Sequence, residues 1–97
     1  MKLRKTITIR GKSWKLERKR LAKNKVEELH GLCYGEPERR IVICATLKGD
    51  DLLETIIHEQ THGFFPDLKE ETVEQFGEEM MRTLRQFGYK SDLGDDE

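Results

Sequence analysis

The chain has 97 residues, 35% of them apolar, and a formal net charge of -1. That length fits one compact domain with a modest core and argues against a second. No run of eighteen or more apolar residues is present to cross a membrane, the first twenty residues scatter Lys and Arg where a secretory leader needs an apolar run, and Cys33 and Cys44 show neither disulfide-framework nor metal-clip spacing.

The expectation is therefore a soluble, cytoplasmic protein with reduced thiols and no membrane partner. The near-zero net charge conceals an asymmetry: Met1 to Lys25 holds eleven Lys and Arg against the single acid Glu17, whereas residues 50 to 97 are acidic. Such a basic segment can attract phosphate backbones, but its charges fall within an alternating strand pattern, which favours a solvated sheet face over a nucleic-acid partner. Residues 1–90 read as the domain, and residues 91–97, acidic and almost without apolar content, as a flexible tail.

In chain order, Lys5-Thr6-Ile7-Thr8-Ile9 is β-rich, Arg10-Gly11-Lys12-Ser13 is a turn signal, and Trp14-Lys15-Leu16 alternates, which together predict a β-hairpin. Between Lys19 and Glu28 the residues Leu21, Ala22 and Val26, with Leu29 just beyond, fit either a short amphipathic helix or an irregular connection. Gly31, Gly35 and Pro37 mark a loop, and Arg40-Ile41-Val42-Ile43-Cys44-Ala45 predicts a third strand.

Two helices should follow. The first starts near Asp50-Asp51, repeats Leu52, Leu53, Ile56 and Ile57 at helical spacing, and runs to about His62 with Gly63 as its stop. The second buries a stripe of Val73, Phe76, Met80, Leu84 and Phe87 and ends at Gly88. Strands first and helices last define an α+β fold with a three-stranded sheet.

Chemistry concentrates in His58-Glu59-Gln60-Thr61-His62. Residues four apart share one helix face, so both imidazoles can reach one metal ion while Glu59 reaches the metal-bound water as general base. Zinc lowers that water's pKa towards about 7, which suits hydrolysis of a carbonyl compound. A random shuffle of this composition gives HExxH roughly once in a hundred trials, so the letters alone are suggestive. The surrounding amphipathic helix, and the commitment of two of the three histidines to the motif, raise its weight.

A catalytic zinc usually takes three protein ligands. A metzincin would place Gly and His where Phe65 and Leu68 stand, so that class is excluded, and Asp67, Glu70, Glu71 and Glu74 remain as candidates. With Val73 at zero and about 100° per residue, the expected stripe centres near about -10°, Glu70 falls near about 60°, Glu74 near about 100° and Glu71 near about 160°. Glu70 lies at the stripe's margin and fits best. Glu74, one turn on, is placed to accept the second N–H of an imidazole.

The segment Leu53 to His62, followed by Pro66-Asp67-Leu68 and Glu70-Glu71-Thr72-Val73-Glu74, resembles the gluzincins, specifically their minimal single-domain forms. The resemblance spans roughly residues 40 to 88. It implies a zincin-like fold and a zinc metallopeptidase, with His58, His62 and Glu70 as metal ligands, Glu59 as catalytic base and Glu74 as an outer acid. It also implies that Arg40 to Ala45 is the strand bordering the cleft, so that a peptide or protein substrate binds along Ile41 to Cys44 through main-chain hydrogen bonds.

His30, Tyr34 and Tyr89 have the chemistry of an oxyanion stabiliser, and Cys33 that of an autoinhibitory thiolate, but ordinary structural roles are favoured for each. Two rival functions are a SprT-like, DNA-associated protease, although no His follows His62 to serve as its third ligand, and a non-catalytic zinc-stabilised interaction module, which has no need of Glu59.

Overall fold

The computed structural model describes residues 1–20 and 30–95. Its elements are β1 (Thr6–Ile9), β2 (Lys12–Lys19), β3 (Gly31–Tyr34), β4 (Arg40–Cys44), α1 (Gly49–Phe64) and α2 (Glu70–Gln86). The fold is α+β, as expected. Leu21, Ala22, Val26 and Leu29, expected in a short helix or connection, lie outside the described residues.

The hairpin forms where turn chemistry demands it. Arg10 and Gly11 both have positive φ, 52° and 76°, the requirement of a two-residue turn whose twist matches its strands. The turn sets Ile9 opposite Lys12 and Ile7 opposite Trp14. Four strands, in the order β1-β2-β4-β3, replace the expected three. The additional strand is β3, which pairs antiparallel with β4 from Gly31 opposite Ile43 to Tyr34 opposite Arg40. Its two flanking glycines and Pro37 had suggested a loop. β4 runs parallel to β2 and is hydrogen-bonded on both sides. The strand expected to border the cleft is thus interior, and the outer strand of the sheet on that side is β3.

Alternation along these strands sends Ile9, Trp14, Leu16, Ile41 and Ile43 to one face, where Leu52 and Ile56 of α1 complete the core. Gly63, expected to stop α1, is instead part of its last turn and lies against the sheet. A Cβ there would sit 3.1 Å from both Ile9 Cδ1 and Trp14 Cη2. Gly63 therefore allows close approach of helix and hairpin, and α1 ends one residue later at Phe64.

α2 packs on α1 and makes no extended contact with the sheet. Its buried line is Val73, Gly77 and Met81 with Leu84 half-buried, while Phe76, Met80 and Phe87 of the expected stripe are exposed. A helix resting on one other helix buries a narrow line, and glycine can lie on that line although it carries no hydropathy signal. The line centres at about 35° on the wheel above, about 45° from the expected phase.

The expected loose tail is anchored as far as Asp95. Ser91 N–H donates to Asp50 Oδ1 at 2.9 Å, Gly49 N–H donates to the Leu93 carbonyl at 2.8 Å, and Gly94 N–H donates to the Met1 carbonyl at 2.8 Å. No helix among the described residues is long and apolar enough to cross a membrane.

Gly63 and Gly77 should respond oppositely to substitution. Gly77→Ala meets nothing within 4 Å, so it should stabilise the fold by about 0.5–1 kcal/mol through helix propensity. Gly63→Val should destabilise it by about 1–3 kcal/mol through overpacking against Ile9 and Trp14. Urea denaturation of both variants checks the contrast, and a stabilising Gly63→Val would show that the helix–hairpin contact is not close.

Candidate metal centre

On α1, Leu52, Ile56 and Gly63 face the sheet. Counting about 100° per residue from Leu52, Thr55 and Glu59 fall on one margin of that face and His58 and His62 lie further round the same side. The margin carrying Thr55 and Glu59 packs on β3, where a Cβ at Gly31 would come within 3.0 Å of Thr55 Cγ2 and 3.1 Å of Glu59 Oε2. The absence of a side chain at Gly31 is what gives Glu59 room. The Cys44 N–H bond to the His30 carbonyl, 2.7 Å, ties down the entry to this strand.

His58 and His62, four residues apart, have ring centroids 4.9 Å apart at 69°. Nitrogen and oxygen atoms of His58, Glu59 and His62 all lie within 4.8 Å of one another. The turn from Phe65 to Lys69 reverses the chain and sets Glu70 as the first residue of α2, facing the end of α1. Its carboxylate spans the two imidazoles, with Oε1 2.8 Å from His58 Nε2 and Oε2 2.7 Å from His62 Nε2. Each imidazole has Glu70 as its polar partner among the described residues. Glu74, expected to accept a ring N–H, lines the same cavity without touching either ring.

The two carboxylates differ. Glu70 is exposed and holds both imidazoles. Glu59 is 7% exposed and has no hydrogen bond or ion pair among the described residues. Burial first, and then the negative charge of Glu70, push its carboxyl up to about 7. A carboxylate left without a partner at that depth costs stability, which is the usual mark of a group kept for chemistry or for a cation.

His58, Glu59, His62 and Glu70 border a cavity of about 940 Å³ between α1, α2 and β3. Of the residues weighed as oxyanion stabilisers, His30 lines this cavity, Tyr34 does not and stacks with Arg40 instead at 4.4 Å, and Tyr89 is exposed elsewhere. Glu71 is exposed and does not line the cavity. Glu54 and Glu78 also line it, Glu54 one turn before His58 and Glu78 one turn after Glu74, although the sequence favours a solvated helix face for Glu78.

Two imidazole nitrogens and the Glu59 carboxylate lie close enough together to hold a metal ion, and Glu70 adds a carboxylate against both rings, donors of the kind that divalent transition metals take. Comparison of the chain with protein-family models, curated proteins and solved structures returned no match, and the site is therefore read from its own geometry.

Cys33 also lines the cavity. Burial, and secondarily the charge of Glu59, push its thiol up to about 11. The thiolate appears only as pH rises towards that value, so in the metal-free protein Cys33 is a neutral thiol at neutral pH. Iodoacetamide should label Cys33 of the metal-free protein at pH 8 on the order of 100-fold more slowly than a free cysteine. Mass spectrometry of timed digests measures this, and labelling at the free-thiol rate would show that the site leaves the thiol unperturbed.

Proposed function

We propose that the chain is a zinc-dependent metallopeptidase of the zincin type, with His58, His62 and Glu70 as metal ligands and Glu59 as the general base. The observation that carries this reading is the division of labour between the carboxylates: Glu70 joins both imidazole nitrogens at 2.8 and 2.7 Å, while Glu59 stands beside them, buried and unpaired. A site built only to bind a metal has no use for the second acid.

Zinc, when bound, polarises a carbonyl and makes a coordinated water acidic near neutral pH. The chain's own residues supply the rest. His58 and His62 present neutral nitrogens from one helix, and Glu70 adds a negative oxygen from the next, so that two elements fix the ligand set. Glu59 takes a proton from the attacking water and returns it to the departing amine, the work of a general base held beside the metal ligands. His30 lines the same cavity and is the side chain best placed to donate to a developing oxyanion.

Peptide hydrolysis is favoured over small-molecule hydrolysis by β3. It is the last strand of the sheet and lines the cavity through Gly31, Leu32 and Cys33. An extended peptide laid against it would add a strand by main-chain hydrogen bonding and cross in front of Glu59. This assigns to Gly31–Tyr34 the role that the sequence had suggested for Ile41 to Cys44.

Zinc analysis of the purified protein should find about one ion per chain, lost in His58→Ala and His62→Ala. Glu70→Ala should weaken binding by more than about 100-fold, beyond the effect typical of a group outside the ligand set, and Glu71→Ala by little. Titration against a chelating dye measures all four, and equal effects of the two Glu variants would remove Glu70 from the ligands.

Glu59→Gln tests the enzyme itself. Zinc content and melting temperature should stay close to wild type, while cleavage of an unstructured protein should fall by about 10²- to 10⁴-fold, because an amide cannot take the proton. A Glu59→Gln protein that cleaves as fast as wild type would end the proposed mechanism, and a zinc-loaded wild type that cleaves nothing across a broad peptide library would leave a non-catalytic zinc module.

A further inference from the structure

The cavity walls carry more acid than the proposed chemistry uses. One wall is a row on α1, Glu54-His58-His62, and the facing wall is a row on α2, Glu70-Glu74-Glu78, each with its members one helical turn apart. Among the described residues no Lys or Arg lines the cavity. Glu54, Glu74 and Glu78 form no hydrogen bond or ion pair with any described residue, while Arg85, also on α2, is taken up by Asp50 at 3.6 Å.

Like charges at i, i+4 destabilise a helix, and while the imidazoles partner Glu70, no described residue pairs with Glu74 or Glu78. Behind these exposed acids, Glu59 is more than nine-tenths buried, unpartnered and bordering the same cavity. The field from five carboxylates therefore converges on one concave space, whose low-dielectric walls strengthen it.

We infer that the cavity selects a cationic substrate: a peptide with Lys or Arg beside the bond presented to Glu59, its positive side chain held by Glu54, Glu74 and Glu78. Glu74 and Glu78 are two of the three acids on the α2 wall and take no part in holding the imidazoles, so they set specificity without serving the reaction. The inference rests on the metallopeptidase reading for the word substrate, but not for the recognition of positive charge.

Binding and cleavage are measured separately so that the two readings fail separately. Fluorescent peptides of equal length, differing only in Lys and Arg, Gln, or Glu and Asp, are titrated by anisotropy into Glu59→Gln protein with and without one equivalent of zinc. The Lys and Arg peptide should bind roughly tenfold tighter than the Gln peptide at low salt, with the advantage shrinking as salt is raised and lost in Glu74→Gln/Glu78→Gln on the same background. Melting temperature and zinc content of that variant should match the parent, and the salt dependence on the parent gives a second reading that needs no variant.

Equal binding of the Lys and Arg and the Gln peptides, or a preference that survives both substitutions, would overturn the inference. So would a second zinc per chain that disappears in Glu74→Gln/Glu78→Gln, since the acids would then hold metal and not substrate. Cationic binding in a protein whose wild type cleaves no peptide would keep the recognition and remove the peptidase, whereas cleavage without charge preference would do the reverse.

Discussion

The rotation of α1 about its own axis is the constraint on which the site depends. Leu52 is fully buried and Ile56 nearly so on the sheet, and Gly63 lies close enough to Ile9 and Trp14 that the last turn has no freedom to roll. Once that line is fixed, the helical repeat dictates the rest: Glu59 must face β3, and His58 and His62 must face the side on which α2 returns. The functional side chains are thus positioned by apolar packing a few ångströms away, through residues that carry no chemistry. Gly31 completes the arrangement from the sheet side, because a side chain there would meet Thr55 and Glu59 at about van der Waals contact or closer.

Electrostatics then separate two chemically identical groups. Glu70 begins α2, where a carboxylate is favoured by the helix dipole and by water, and it reaches the imidazoles from the exposed side. Glu59 lies in mid-helix beneath a strand, with no hydrogen-bond donor among the described residues, and burial and the charge of Glu70 raise its carboxyl to about 7. The two acids thus sit in opposite surroundings, one exposed and paired with both imidazoles, the other buried and unpaired among the described residues. Of the chain's 18 Lys and Arg, eleven fall between Met1 and Lys25, and no described residue of that segment lines the cavity.

The hairpin and α1 were legible in the sequence because local chemistry and long-range packing agree there: Arg10-Gly11 supplies the turn, and the periodicity of Leu52 and Ile56 matches the surface they bury. β3 was not, because Gly31-Leu32-Cys33-Tyr34 is four residues long and begins with a glycine that serves Glu59, which looks like a loop when only propensity is read. The phase of α2 was missed because Phe76, Met80 and Phe87 outweigh Gly77 in any hydropathy count, although Gly77 is buried and those three are exposed. Glu70 was nevertheless singled out. The error of about 45° moved the assumed contact line away from Glu70, so the true line passes closer to it than the sequence pattern suggested.

The weak attachment of α2 explains why ligand and fold are not separable here. α2 rests on α1 along the line of Val73 and Met81, makes no extended contact with the described sheet, and carries a row of acids that works against its own helix. The Glu70 pairs with His58 and His62 fasten its first turn to the end of α1, at the point where the chain has just reversed. A cation shared by these three side chains would tighten the same junction and relieve the repulsion between Glu59 and Glu70 at once. Binding energy gained there is energy of docking α2, and the cavity whose wall α2 forms is completed by the same event.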